Sequence, residues 1–511
     1  MKKLRMLILL GGHISSQAQV RLPNELRWLQ WPNAPNLEFG SGLNKLERLN
    51  VPKSHIKQLG GNSQNFSKLK SIDFSGCESL VSIHDLSSAP NMEKLILNLC
   101  ENLVEVHPSI GDLVKLEVLS LRSCSNLRNF PNTLKTISLH TLTLYGCSKL
   151  EKFPDIDGKM EHLKALDLRG TAIEELPASI ENLVSVESMT LAFCKNLMRL
   201  PSHIYKLKNL ETFDLGGCSN LITFPKNMED STNPDGCLGF RRLRYLRLYG
   251  CNLSEVEFLE SFSSFSALEF LHLEYNKFAH MPTCINKYYC LRSLNVRGCE
   301  ELQEIPQLPP NIDYLFADCC KSLQKLPDLW GQPSRTSFVD LASCCELFRK
   351  GVSMDDVANV SLLEKLPKMK VDVDIVLIGR EMPKWILPCE EDSISFMVSR
   401  DLYDKFKGLA LCAVLSPEEG KVIRSCGLTV LVNGQRVIEG TRCLFAMESD
   451  HVWLSCRLKR FKDRLLKDWN HFQVCLRAEE GSIKKRGFRI LSEKKEDDLR
   501  VVFPAPSTDR N

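Results

Sequence analysis

The chain has 511 residues with 66 basic and 63 acidic side chains, a net charge of +3. A balance this even, with no basic stripe interleaved with aromatics, argues against a nucleic-acid partner. No apolar run approaches the length of a membrane-spanning helix, so no membrane association is expected. Length alone would allow roughly two to four domains, but a stacked array has no single globular core and changes that count.

Residues 1–19 carry Lys2, Lys3 and Arg5 ahead of an apolar run at 6–10. That run is too short for a secretory leader. Leu4, Leu7 and Leu9 instead fit L-x-x-L-x-L, one repeat length before Leu26. The phrase recurs at Leu26, Leu46, Leu69, Met92, Leu116, Leu139, Leu163, Val186, Leu210, Leu243, Leu268, Leu291 and Ile312. It is clearest over 139–204, where three copies follow one another at intervals of about 23–24 residues, the signature of leucine-rich repeats. Each copy predicts a short parallel strand whose first, fourth and sixth residues point into the array, with positions three, five and seven facing out.

Eight residues past the start of a repeat stands Cys77, Cys100, Cys124, Cys147, Cys194, Cys218, Cys251, Cys299 or Cys320. A buried thiol is a small apolar group with a weak donor. It suits a plug at the turn after the strand, in a reduced, intracellular protein rather than a disulfide-bonded one. No Cys-x-x-Cys pair supports zinc or redox chemistry. Thr171 and Asn276 take the same slot in two repeats that are one residue shorter there, and are expected to bond backbone amides. Apolar-Pro pairs ending in Pro131, Pro154, Pro177, Pro201, Pro225, Pro282, Pro306 and Pro327 mark the return path, because proline lacks the amide donor that a strand interior needs. The long interval from Leu210 to Leu243 contains a polar insertion at 227–240 that reads as a surface loop.

After Pro327 the repeat dissolves. Residues 328–370 are read as a transition segment with a helix near 354–366. The period then becomes two: 371–378, 393–398, 409–415, 428–432, 451–458, 472–477 and 487–491 predict strands of an antiparallel sandwich. Asn433-Gly434 between two such runs is a hairpin signal. The basic stretch KRFKDRLLK at 459–467 reads as a solvated surface segment. The expected fold is therefore an α/β leucine-rich-repeat solenoid, a parallel-strand horseshoe, over 1–327, followed by an all-β sandwich over 371–503 and a tail at 504–511.

These residues resemble a family. LRWLQWP at 26–32, HPSI at 107–110 and LDLRGTAIEELP at 166–177 are similar to the C-terminal half of plant TIR-type nucleotide-binding leucine-rich-repeat disease-resistance proteins. GREMPKW at 379–385, SISF at 393–396, GLALC at 408–412 and Trp469-Asn470 resemble that family's C-terminal jelly-roll and immunoglobulin-like domain. The resemblance implies ligand recognition and autoregulation in an intracellular immune receptor, in the cytoplasm with the nucleus as a second compartment. Its implied partners are a pathogen effector or host protein and, in full-length relatives, the nucleotide-binding domain. The family's NAD-hydrolysing and nucleotide-switching chemistry does not transfer to these residues, which hold no G-x-x-x-x-G-K-[ST] phosphate cradle.

No nucleophile, acid–base pair or metal-ligand spacing appears, so no catalytic residue, metal or cofactor is expected. The outward positions carry the functional expectation. From Met92 to Leu210 they are mixed. Beyond Leu243 they become Tyr245, Arg247 and Tyr249, then Phe270, His272 and Glu274, then Asn295 and Arg297, then Tyr314, Phe316 and Asp318. Tyr and Arg are the usual anchors of protein interfaces, so the nine of these other than Asn295 and Asp318 form the candidate ligand site. Their alternative role is docking against the following sandwich. Competing readings of the whole chain are a decoy or truncated regulatory paralogue, an extracellular ectodomain, and a ligase-like enzyme with a repeat domain. The second would carry an L-x-G-x-I-P signature, whereas 303–306 lacks its glycine. The third needs a catalytic module that is not found.

Overall fold

The computed structural model describes residues 4–10, 19–39, 43–59, 65–227, 239–330, 336–369, 371–399, 405–458, 461 and 467–492. Most of the 227–240 insertion, most of the basic stretch at 459–467 and the tail at 504–511 lie outside them. The chain divides into two compact units, Met1–His272 and Leu273–Asn511.

In the first unit each repeat contributes a three-residue strand, and neighbours pair in parallel from Met6–Ile8 through Trp28–Gln30 and Arg48–Asn50 to Tyr245–Arg247 and Phe270–His272. The register is one repeat phrase against the next, so Leu119, Leu142, Leu166, Met189, Phe213 and Leu246 line up and are all buried. Alternation along the strand dictates this: the fourth and sixth positions face the interior and the intervening ones face out. Among the described residues of the first unit the return path holds no α-helix. The apolar-Pro pairs open 3-10 turns instead, as at Ala178–Asn182 after Pro177 and Ser202–Lys206 after Pro201. Short parallel strands such as Thr133–Leu134 beside Asp155–Ile156 fill the other repeats.

The cysteine slot is a hydrogen-bond ladder. The Cys100, Cys124, Cys147, Cys194, Cys218 and Cys251 thiols each donate across to the carbonyl at position six of the preceding repeat, at 3.0–3.1 Å. Burial pushes the Cys77, Cys100 and Cys251 thiols up to about 12, which leaves negligible thiolate near neutral pH. The expectation for the shorter turns is corrected. The Thr171 hydroxyl donates to the Leu168 carbonyl at 3.0 Å, and in the second unit the Asn276 amide donates to the Leu273 carbonyl at 2.8 Å. The slot faces the carbonyl at the end of its own strand, which accepts from the next repeat's thiol as well, Cys194 onto Leu168 and Cys299 onto Leu273, both at 3.1 Å. Native alkylation with iodoacetamide is therefore expected to label exposed Cys290 and Cys345 and to spare Cys124, Cys147 and Cys194. Peptide mapping that found the three buried thiols modified as fast as Cys290 would overturn the ladder.

The residue just before that slot has left-handed backbone throughout, at Gly76, Gly146, Gly170 and Gly217 but also at Leu99, Ser123 and Phe193. Its amide donates to the next repeat, as from Phe193 N–H to the Gly216 carbonyl at 2.7 Å. That bond is made at a cost of about 1 kcal/mol for each residue that is not glycine.

The second unit continues the same pattern and then changes it. Ser293–Asn295 pairs in parallel with Tyr314–Phe316, which pairs with Phe338–Leu341. The last of these belongs to a further repeat that sequence reading assigned to the transition segment. It starts at Thr336, buries Val339 and Leu341, and places Cys344 in the thiol slot, donating to the Ala317 carbonyl at 3.0 Å. Its opening Thr and aromatic Phe338 disguise the leucine phrase. Short helices at Cys345–Arg349, Met354–Val357 and Val360–Lys365 follow.

Val373–Ile378 then pairs in parallel with Phe338–Leu341 on one edge and antiparallel with His451–Leu458 on the other. The repeat sheet thus runs directly into a sheet of the sandwich, which adds Phe406–Pro417, Gly481–Ser492 and Leu387–Cys389. The facing sheet is ordered Ile394–Ser399, Trp469–Ala478, Ile423–Val432, Gln435–Met447. The predicted hairpin is present, with Val432 opposite Gln435 and Asn433 and Gly434 both left-handed, as a type I′ turn requires. Phe396 fills the space between the sheets, stacked on Phe472 and Phe488 at 5.1 and 4.4 Å.

Candidate functional site

The nine candidate residues fall into two groups, one in each unit. In the first unit the register sets Tyr245 beside Phe270 and Arg247 beside His272. The Tyr245 and Phe270 rings stack with centroids 4.6 Å apart and nearly parallel planes. The Arg244 guanidinium lies over Tyr245 at 5.9 Å and is itself held by Glu269 at 2.8 Å. Arg247 reaches Asp214 of the preceding repeat at 3.5 Å. All four named site residues on these two strands are half-buried.

Tyr249 has a more specific seat. A Cβ on Gly216 would fall 1.9 Å from the Tyr249 ring, and one on Gly217 would fall 2.7 Å from Phe193. The two glycines form a floor on which two rings lie, in edge contact at 6.3 Å. Phe193 holds 54% of its surface in solvent. Sequence reading passed over Phe193, because it sits at the left-handed position, outside the alternation that assigns strand faces. Its signal was a large apolar residue where other repeats have glycine. Toward the middle of the array, Arg122 and Arg169 flank the Tyr145 ring at 5.3 and 4.9 Å. Elsewhere the strand face there is short-chained, with Thr141, Thr143, Ser188, Thr190 and Thr212.

In the second unit the remaining residues serve two purposes. Tyr314 is exposed and stacks with Phe316 at 6.4 Å, and Phe316 meets Phe338 at 5.0 Å. Arg297 is drawn inward. Its Nε lies 2.7 Å from both carboxylate oxygens of fully buried Asp318, and its Nη2 lies 4.0 Å from buried Asp340. Burial and the charge of Asp318 push the Asp340 carboxyl up to about 7. Glu274 accepts a hydrogen bond from the Asn295 amide at 2.5 Å. Arg297 and Glu274 are thus tied into a polar network along neighbouring strands, whereas Tyr314 faces solvent. Among the described residues no group of His, Cys, Asp and Glu could hold a metal ion, and no helix is long and apolar enough to cross a membrane.

Parallel strands one repeat apart, a thiol or amide plug after each and a side-chain-rich strand face define a leucine-rich-repeat protein. Residues 136–350 match the family described as leucine-rich repeats of RPS4B-like disease resistance proteins. The chain is 29% identical over 469 residues to TMV resistance protein N of Nicotiana glutinosa, covering 81% of this chain and 40% of that protein. It is 26% identical over 457 residues to disease resistance protein RPS4B of Arabidopsis thaliana, covering 83% of this chain and 35% of that protein. The chain therefore spans two-fifths or less of these relatives' length. Among solved structures, the leucine-rich repeat domain of the type III effector XopL aligns with 24% identity and a TM-score of 0.34, over 37% of this chain and 63% of that one. The resemblance to TIR-type nucleotide-binding leucine-rich-repeat resistance proteins holds across the repeat region.

Proposed function

We propose that this chain is the ligand-recognition and autoregulatory region of an intracellular plant immune receptor, binding a pathogen effector or host protein through its strand face and the sandwich that follows. The observation that carries this reading is two aromatic pairs in the first unit, Tyr245 stacked on Phe270 on paired strands and Tyr249 against Phe193 in the turns after their strands, with Phe193 exposed and the other three half-buried. Aromatic rings fixed by stacking lose little entropy on binding, and such residues dominate interface energies. Tyr314 and Phe316 offer a second aromatic group on the strand face of the second unit.

The test is a panel of candidate effectors against the full chain, by pull-down and then titration calorimetry. For a ligand that binds the wild type, Tyr245→Ala and Tyr249→Ala are expected to weaken binding by about 2 kcal/mol each, roughly thirtyfold. Thr143→Ala should leave binding within about twofold. Unchanged affinity in both tyrosine variants would exclude this surface. Arg297→Ala is a poor probe, because it strands buried Asp318 and perturbs the fold.

A further inference from the structure

His451 is buried, at the start of the strand His451–Leu458 that lies beside Val373–Ile378 and Phe406–Pro417. Both ring nitrogens are committed. Nδ1 lies 2.7 Å from the Ser449 carbonyl, which only accepts, so Nδ1 carries the proton. Nε2 lies 3.0 Å from the backbone N–H of Ser343, so Nε2 must offer a lone pair. Ser343 is the left-handed residue of the last repeat, next to the thiol slot. The imidazole therefore links the turn of the final repeat to the connection at 448–450 that leads into the strand His451–Leu458, and only one tautomer of the neutral ring fits.

We infer that His451 fastens the last repeat to the sandwich only while its ring is neutral, which makes this junction acid-sensitive. A protonated ring would set Nε2–H against the Ser343 N–H, replacing a bond with two opposed donors. The ring's in-register neighbours are Ile378 and Leu415, which supply no countercharge. From the last repeat it meets the uncharged Ser343 amide. The carboxylate that bears on it is Asp450, next in the chain, already paired with Arg380 at 2.9 Å and Lys484 at 3.3 Å. Burial outweighs that carboxylate and holds the imidazole below its usual range.

The sign follows from which state takes the proton. A freed imidazole titrates near 6.5 and the docked one lower. Well above about pH 6.5 neither state is protonated and the link is at full strength. Below it the undocked state gains protons first, so the junction weakens as the pH falls toward the docked value. Backbone pairing of Phe338–Leu341 with Val373–Ile378 remains, so acid loosens the seam rather than unfolding the unit.

Hydrogen exchange of the full chain between about pH 7.5 and about pH 5.5, corrected for the chemical rate, tests this. Protection of the peptide 337–344 is expected to fall on the order of tenfold at the lower pH, while the 139–146 peptide, another repeat turn, stays constant. In His451→Gln, which keeps an acceptor and a donor but does not titrate, the 337–344 difference should vanish. An equal change in both peptides, no change in either, or the same loss in His451→Gln would overturn the inference. If that variant does not fold, Asp340→Asn decides: it removes the carboxyl in the same peptide that burial raises to about 7, so the acid loss must persist there, and its disappearance would overturn the inference.

Discussion

Arg457→Ala is expected to destabilise the second unit by about 3–5 kcal/mol, because it strips the partner from a buried carboxylate. Asp374 is fully buried on the strand shared by the last repeat and the sandwich. Its two oxygens receive both Arg457 guanidinium nitrogens, at 2.9 and 3.1 Å, and the Trp453 indole N–H at 3.2 Å. Asp372 adds a second carboxylate 3.7 Å from Arg457. With the arginine gone, the Asp374 charge would sit buried at the seam without the Arg457 guanidinium that neutralises it. Replacing both partners by apolar residues, Asp374→Leu with Arg457→Met, removes the charge along with its counterion and is expected to restore most of the loss. Denaturant unfolding followed by tryptophan fluorescence, four of whose six reporters lie in the second unit, reads both variants. A loss below about 1 kcal/mol in Arg457→Ala would place this pair in the class of weak surface bridges.

Gly111→Ala should cost about 3 kcal/mol in the first unit, at the upper end of overpacking effects. Gly111 is buried in the 3-10 turn Pro108–Asp112, and its Cβ would stand 2.2 Å from the Thr133 carbonyl oxygen and 3.2 Å from Pro131. The obstacle is backbone, so no rotamer relieves it. The Gly111 carbonyl accepts from Lys135 N–H at 2.7 Å, and Thr133–Leu134 pairs with Asp155–Ile156, so a shift would pass to the next repeat. Gly216→Ala makes the contrast. There the obstruction is the Tyr249 ring, which can swing away. Thermal melts should show a marked loss for Gly111→Ala and little for Gly216→Ala. Equal melting temperatures for Gly111→Ala and wild type would mean that the return path yields more readily than its close packing indicates.

The sequence by itself determined whatever a short period encodes. The leucine phrase located the strands and their buried positions, the thiol slot located the turns, and Asn433-Gly434 located a hairpin. Each is set by residues close in the chain, repeated until the pattern exceeds chance. Outward-facing aromatics were legible for the same reason, since alternation assigns Tyr245 and Phe270 to one face and adjacent repeats to one row. Tertiary structure decided what depends on partners far away in the chain. Thr336 begins a repeat only because Val339 and Leu341 have a neighbouring strand to join. Arg297 turns inward because Asp318 and Asp340, 21 and 43 residues on, are buried beside it. Phe193 joins Tyr249 because Gly216 and Gly217 leave room for two rings. The sandwich attaches to the array because Val373–Ile378 has two free edges, one taken by a repeat and the other by His451–Leu458. Periodicity says which way a side chain points, whereas charge pairing, ring seating and edge pairing are set by what it meets there.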